Sequence, residues 1–333
     1  MDRLQSGAPC PASLTGRRFY KPMPCEATSQ TQPAQAVHRD SAGLHGAFLT
    51  RSLLLILRIL PMWLCVLLTR PGALLIYCLA GPQRRAVCAN LEAMRPEDGP
   101  FICWWHGFRV FHQFGLTYLD RLWHLHFGRE IQWELTGAEN MQALRDEPGG
   151  VLVFTVHAGN YDMGSALFAS KLGRDLHTVR TPEQTASLRE LRSKELAGQE
   201  LRQPHLHVHY NECGSHLGLQ LCKLLQAGQI VAIQGDRVVM EVSATHLQID
   251  GMDFRLPRGP LVLAEMLRVP CYPVFLSRQG LMSYRAEIGP AFRAAGEEVA
   301  LDEIGSRWLV AMHAFLMRHW DQWFVFEHLV TRV

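Results

Sequence analysis

From Ile131 to Trp320 short β-rich runs alternate with helical stretches, and that alternation leaves few folds open. Strands are expected at 131–136, 150–156, 175–180, 206–210, 230–234, 242–249 and 271–277. Helices are expected at 137–145, 161–172, 185–202, 214–227, 259–268 and 301–320. Such alternation predicts an α/β fold, a mostly parallel mixed sheet flanked by helices. Upstream, 83–92, 103–114 and 115–127 read as helices. The latter two carry Trp104, Trp105, Phe108 and Phe111, which suit packing more than chemistry.

The N-terminal third differs. Residues 1–46 are rich in Ser, Thr, Gln, Pro and Ala, lack apolar periodicity, and are expected to be disordered. They also lack the apolar core of a secretory signal. Residues 47–81 are strongly apolar, but Arg58 interrupts the first run and Arg70-Pro71-Gly72 is expected to break the second. The uninterrupted stretch Ile59–Leu68 is too short to span a bilayer, which takes about 20 residues. Three readings stay open: a helix pair in the membrane interface with arginines reaching phosphates, a single tilted span, or a buried hairpin. The first is preferred here. A charged share of only 19% points to a membrane surface or a large core. With 33 basic and 31 acidic residues, bulk nucleic-acid binding is not expected. Nine cysteines without a CxxC suit reduced thiols facing the cytosol.

Chemistry gathers at Val151–Gly164. An apolar run ends in His157, Ala158-Gly159 forms a flexible corner, and Asn160 is a good helix N-cap. Asp162 follows in the first helical turn. On one continuous helix a spacing of five would turn the two side chains apart, so His157 must sit in the preceding loop. An imidazole accepts a proton near neutral pH, and a carboxylate on its other nitrogen fixes the tautomer. Asp162 is expected to fold back into that role. The free amides of the helix start, with Asn160, suit an anion or a developing oxyanion.

Other patterns carry less. His205, His207 and His209 share one strand face, and Glu212 or His216 would complete a zinc set. No second ligand cluster accompanies them, so a polar strand face is expected and no metal. Gly214-Ser215-His216-Leu217-Gly218 lacks the spacing of a serine nucleophile elbow, and no Gly-rich phosphate loop or cofactor motif occurs.

His157-Ala158-Gly159-Asn160-Tyr161-Asp162 resembles the His-x4-acid block of the bacterial lipid A acyltransferase family, the lauroyl and myristoyl transferases of lipopolysaccharide synthesis. Five further segments resemble the same family in order. They are Gln83–Glu92 with Arg84, Arg85, Asn90 and Leu91, Ile230–Arg237, Phe254–Ala264 with Arg258-Gly259-Pro260, Arg268–Phe275, and Asp321–His328 with Trp323. The resemblance runs from about Phe48 to the C-terminus. It implies transfer of a fatty acyl group from acyl carrier protein or coenzyme A to a hydroxyl on a lipid or glycolipid. His157 would be the general base and Asp162 its support. It further implies no cofactor, an inner-membrane location and a catalytic domain facing the cytoplasm. The chain then divides into an extension (1–46), membrane-associated helices (47–81) and a catalytic domain (82–333).

Attack on a carbonyl also needs anion stabilisation. Arg180 and Arg237 follow strands, and Arg258-Gly259 opens a helix, so these are candidate substrate contacts along with Asn160. Asp236 is either a turn residue or a helper to the site. Asp162 stands where the family usually has glutamate, and Tyr161 where it often has tryptophan, which leaves the acceptor open. The alternatives are a thioesterase or esterase of the same geometry and a non-catalytic membrane-binding relative.

Overall fold

In the computed structural model, residues 50, 52–181, 198, 201, 203–211, 216–238, 243–293 and 301–333 are described. The strands among them are β1 Gln132–Thr136, β2 Val151–Thr155, β3 Leu176–Arg180, β4 Leu206–Tyr210, β5 Ile230–Gln234, β6 Ala244–Ile249, β7 Met252–Pro257, β8 Cys271–Gly280, β9 Ser283–Ile288 and β10 Val330–Arg332. Seven form one sheet in the order β1-β9-β8-β2-β5-β3-β4. Every neighbouring pair is parallel except β8 with β9. The expected mostly parallel α/β architecture is therefore the observed one. β6 belongs instead to a small antiparallel sheet, β10-β7-β6.

β2 and β5 are apolar on both faces because both faces of the sheet are covered. Leu152, Phe154, Val231 and Ile233 pack with Trp308, Phe315 and Leu316 of the helix Leu301–His319. Val151, Val153 and Ile230 turn the other way, against Phe168, Ala169 and Leu172 of the helix Tyr161–Leu172. Gly164 lets that helix approach β8: a Cβ there would lie 2.1 Å from Leu276 Cδ1.

The helical layer departs from expectation in two places. Met62–Leu79 is one helix that runs through Arg70-Pro71-Gly72, and the break falls at Pro61, after helical residues 52–59. Cys65, Ala73 and Tyr77 repeat at helical spacing and are buried, so packing on one face outweighs the proline's lost hydrogen bond. Pro100–Phe127 is also one helix, where two were expected on either side of 114/115. Gly107 and Gly115 serve close approach rather than interruption. A Cβ at Gly107 would meet Tyr77 Oη at 2.6 Å, and one at Gly115 would meet Thr69 Cγ2 at 3.0 Å. The expected helix at 185–202 and the expected disorder of 1–46 lie outside the described residues, apart from single positions in the former.

Asn90 gives the Arg84-to-Glu92 segment a physical meaning. It is 2% exposed in the helix Gly81–Met94; its Nδ2 donates to Glu327 O (2.8 Å), and its Oδ1 accepts from Leu329 N (2.9 Å) and Val330 N (3.1 Å). Alanine at 90 would leave those backbone groups unpaired. Asn90→Ala is expected to cost about 2–4 kcal/mol of stability, seen as a lower thermal unfolding midpoint. An unchanged midpoint would show that the C-terminal segment is held by other means.

Candidate active site

The site lies at the carboxyl ends of the parallel strands, where open α/β sheets gather ligands. Thr155 of β2 is level with Gln234 of β5. His157 and Asp236 each stand two residues beyond that pair, so register alone makes them neighbours. His157 Nδ1 lies 2.8 Å from Asp236 Oδ1, and the His157 backbone N–H donates to Asp236 Oδ2 at 2.8 Å. Trp323 Nε1 donates to the same Oδ2 at 2.8 Å. Asp236 is fully buried. Burial alone would raise its pKa, but the His157 charge, the two His157 hydrogen bonds and Trp323 hold it below the usual carboxylate range. An ionised carboxylate only accepts, so the ring proton sits on Nδ1 and the lone pair on Nε2. No described residue hydrogen-bonds Nε2.

The carboxylate expected on the imidazole was Asp162, and here the structure corrects the expectation. Asp162 meets two guanidiniums instead: Arg180 Nη1 at 3.0 Å and Arg121 Nε at 3.5 Å. Burial opposes its ionisation, yet Arg180, Arg121 and, more weakly, His157 hold its pKa below the usual range. The helix carrying Asp162 leaves the strand ends at Asn160 and points the acid toward β3, whereas β5 delivers Asp236 straight to Nδ1.

Local sequence fixes the loop. Gly159 has φ +55°, and a Cβ there would lie 2.5 Å from Leu276 O, so the corner needs glycine on both counts. Asn160 is the N-cap residue by position, but its side chain makes no capping bond. It is 2% exposed and its Nδ2 has no hydrogen-bond partner among the described residues. Tyr161 lies edge-on to the imidazole, with ring centroids 5.2 Å apart. From the far side, Phe324 N donates to His157 O at 2.7 Å, and Ala158 bridges Trp323.

Beside this loop an open cavity encloses about 680 Å³, including solvent at its mouth. Val153, Phe168, Leu172, Leu176, Val274 and Leu276 supply apolar walls, while Asp162, Arg180, Thr178 and Gln234 supply polar ones. Tyr161 lines it as well. No residue of the aromatic helix Pro100–Phe127 lines this cavity; Phe108 and Phe111 are buried with Tyr77 in a separate cluster, in keeping with the packing role expected of them.

Arg237 pairs with Glu327 (3.0 Å), and its charge, with those of Arg180 and Arg121, acts on Tyr161. Arg258 and Gly259 are an exposed helix start that the structure does not bring into the contacts of the imidazole cluster. Of the histidine run, His207 stacks on His177 (4.8 Å) and His209 Nε2 lies 2.9 Å from His177 Nδ1. No group of three or more metal-type side chains converges among the described residues; Glu212 lies outside them. Sequence reasoning missed Arg121, which sits in an aromatic helix with no local signal, and Trp323 as a site residue, although its segment was singled out.

A model of the family described as bacterial lipid A biosynthesis acyltransferase matches residues 33–330. The chain belongs to that family and is an acyltransferase. Among solved structures, it is similar to the 1-acyl-sn-glycerophosphate (LPA) acyltransferase PlsC from Thermotoga maritima, at 11% identity and a TM-score of 0.35, over 74% of this chain and 96% of that one. No curated protein sequence matches the chain.

Proposed function

We propose that this acyltransferase moves a fatty acyl group from an acyl thioester, on acyl carrier protein or coenzyme A, to a hydroxyl of a lipid or glycolipid, with His157 as general base. The observation that carries this reading is the imidazole at the end of β2, bonded through Nδ1 to the buried Asp236, with no hydrogen bond to Nε2 among the described residues. The acceptor hydroxyl gives its proton to Nε2 as its oxygen attacks the thioester carbon. The tetrahedral intermediate collapses, the C–S bond breaks, and the thiolate takes the proton back. Asp236 orients the ring and stabilises the imidazolium. The buried Asn160 amide donates to the developing oxyanion. Asp162 holds Arg180 and Arg121 in place, and Arg180 and Arg237 are proposed contacts for substrate phosphates. No described serine or cysteine bonds His157, which favours direct transfer over an acyl-enzyme. The apolar cavity beside the loop is the place for an acyl chain.

Family membership supports a lipid A precursor as the acceptor, and with it an inner-membrane site facing the cytoplasm. Membrane association rests on an apolar surface. Among the described residues one helix, Met62–Leu79, is long and apolar enough to cross a membrane by length and composition. Trp63, Leu67, Leu75, Ile76 and Leu79 on it are exposed, as are Phe101 and Trp105 at the start of the helix Pro100–Phe127. Its other side is docked: Tyr77 is fully buried and its hydroxyl donates to Trp104 O at 2.8 Å. A helix held along one side and bare on the other, with exposed Arg58 and Arg70, suits the membrane interface. Leu67→Asp with Leu75→Asp is expected to weaken binding to anionic phospholipid vesicles by at least about tenfold. Equal sedimentation of variant and wild type would remove this surface from consideration.

The function is tested by giving the full chain a long-chain acyl thioester and a lipid with a free hydroxyl. Esterified lipid supports the transferase. Free fatty acid alone identifies a hydrolase of the same geometry, and lipid binding with neither product a non-catalytic relative.

A further inference from the structure

We propose that Trp323 is a positioning residue for the His157–Asp236 pair, its indole N–H holding one carboxylate oxygen and so setting how much of the acid's charge reaches the imidazole. The inference rests on the reading of His157 as base. Asp236 divides its bonds unequally. Oδ1 serves the His157 ring, while Oδ2 takes both the His157 backbone N–H and the Trp323 indole. Trp323 is 5% exposed and Asp236 fully buried, so water does not compete for either. A donor on Oδ2 draws negative charge away from Oδ1 and fixes the carboxylate plane.

The segment around Trp323 is built to hold that indole still. Trp320 lies under the guanidiniums of Arg109 (4.8 Å) and Arg95 (5.4 Å). Asp321 pairs with Arg109 at 2.7 Å. Gln322 bonds the Arg278 backbone in both directions, at 2.6 and 3.0 Å. Each of these three neighbours anchors the segment to the scaffold, and Trp323 alone among the four reaches the carboxylate. The backbone then closes on the other partner through Phe324 N to His157 O. One short segment thus fixes both members of the pair, its side chain on the acid and its main chain on the base.

The direction of the effect follows from electrostatics. Removing the donor returns charge to Oδ1 and stabilises the imidazolium, so the acidic limb of the rate profile moves to higher pH. The looser carboxylate also orients the ring less well. Trp323→Phe keeps an aromatic ring in the packing and deletes the N–H, at the cost of the indole's second ring. Trp323→Gln keeps an N–H donor on an arm of similar reach and gives up the ring. Both are assayed in the full chain with an acyl thioester and a hydroxyl acceptor, with unfolding midpoints recorded.

Trp323→Phe is expected to lower kcat about tenfold with KM within about twofold, and to raise the acidic limb of kcat/KM by about half a pH unit. Trp323→Gln is expected to keep the wild-type limb whatever its stability. A limb that stays put in Trp323→Phe, or moves equally in both variants, overturns the proposal and leaves Trp323 as packing. Should Trp323→Phe not fold, the limb of Trp323→Gln decides alone: unmoved it supports the proposal, displaced it overturns it. His157→Ala separates the two levels of inference. Transfer surviving in that variant defeats the base itself. Transfer lost there, beside a wild-type limb in Trp323→Phe, defeats only the role of the indole.

Discussion

His157→Ala is expected to lower kcat for acyl transfer by about 10³–10⁴-fold, the upper part of what a positioned general base contributes. The side chain is 13% exposed and, among the described residues, makes one side-chain hydrogen bond, to Asp236. Its loss leaves Asp236 with the backbone N–H of residue 157 and the Trp323 indole, so the acid stays partly satisfied. A modest drop in unfolding midpoint is therefore expected, small beside the kinetic loss. Binding of acyl thioester and membrane association should persist, because neither the apolar cavity walls nor the exposed helix Met62–Leu79 includes this residue. Wild-type turnover in a folded His157→Ala protein would end the assignment.

Asp236→Asn should be nearly as damaging, by about 10³–10⁴-fold, for a reason visible in its bonds. The amide oxygen can take the Oδ2 position and keep the donors from His157 N and Trp323. That choice turns the NH₂ toward Nδ1. Nδ1 must then act as acceptor, the ring proton moves to Nε2, and no lone pair faces the acceptor hydroxyl. Asp162→Asn should behave differently. It leaves the tautomer alone but removes the charge between Arg121 and Arg180, so stability and KM should suffer more than the pH profile. Comparing kcat, KM and unfolding midpoints of the two variants decides which carboxylate supports the base. A larger kcat loss in Asp162→Asn than in Asp236→Asn would restore the assignment drawn from spacing.

The fold was legible wherever burial leaves a local pattern. β4 and β5 fall where β-rich runs predicted them, and the helix Tyr161–Leu172 begins and ends as expected. β9 was missed although Tyr284, Ala286 and Ile288 alternate as its buried face, because Ser283, Arg285 and Glu287 between them dilute the β-rich pattern and the strand follows a tight turn at Leu281-Met282. Gly115 and Pro71 were read as punctuation, but packing between the helices Met62–Leu79 and Pro100–Phe127 overrode both.

The candidate site was legible as far as the histidine proposed as base, and its geometric partners were not. His157 could be found because a strand end and a glycine corner are local signals. Its partner could not, because proximity in sequence favoured Asp162 while strand register joins His157 to a residue 79 positions away. Asp236 did stand out as a polar turn after an apolar strand, yet nothing local says which strand lies next to β2. Arg121 and Trp323 reach the site from helix and tail across separations that no local pattern encodes.

The Trp323 contact also has a consequence for biosynthesis. Translation delivers His157 early, Asp236 later, and the segment that docks both of them close to the end of the catalytic fold. Under the proposed mechanism, the helix Met62–Leu79 is therefore made long before the segment that holds the His157–Asp236 pair in register. On that reading, a chain cut before residue 323 would keep its apolar helix but lack both the indole that holds Asp236 and the backbone N–H that holds His157.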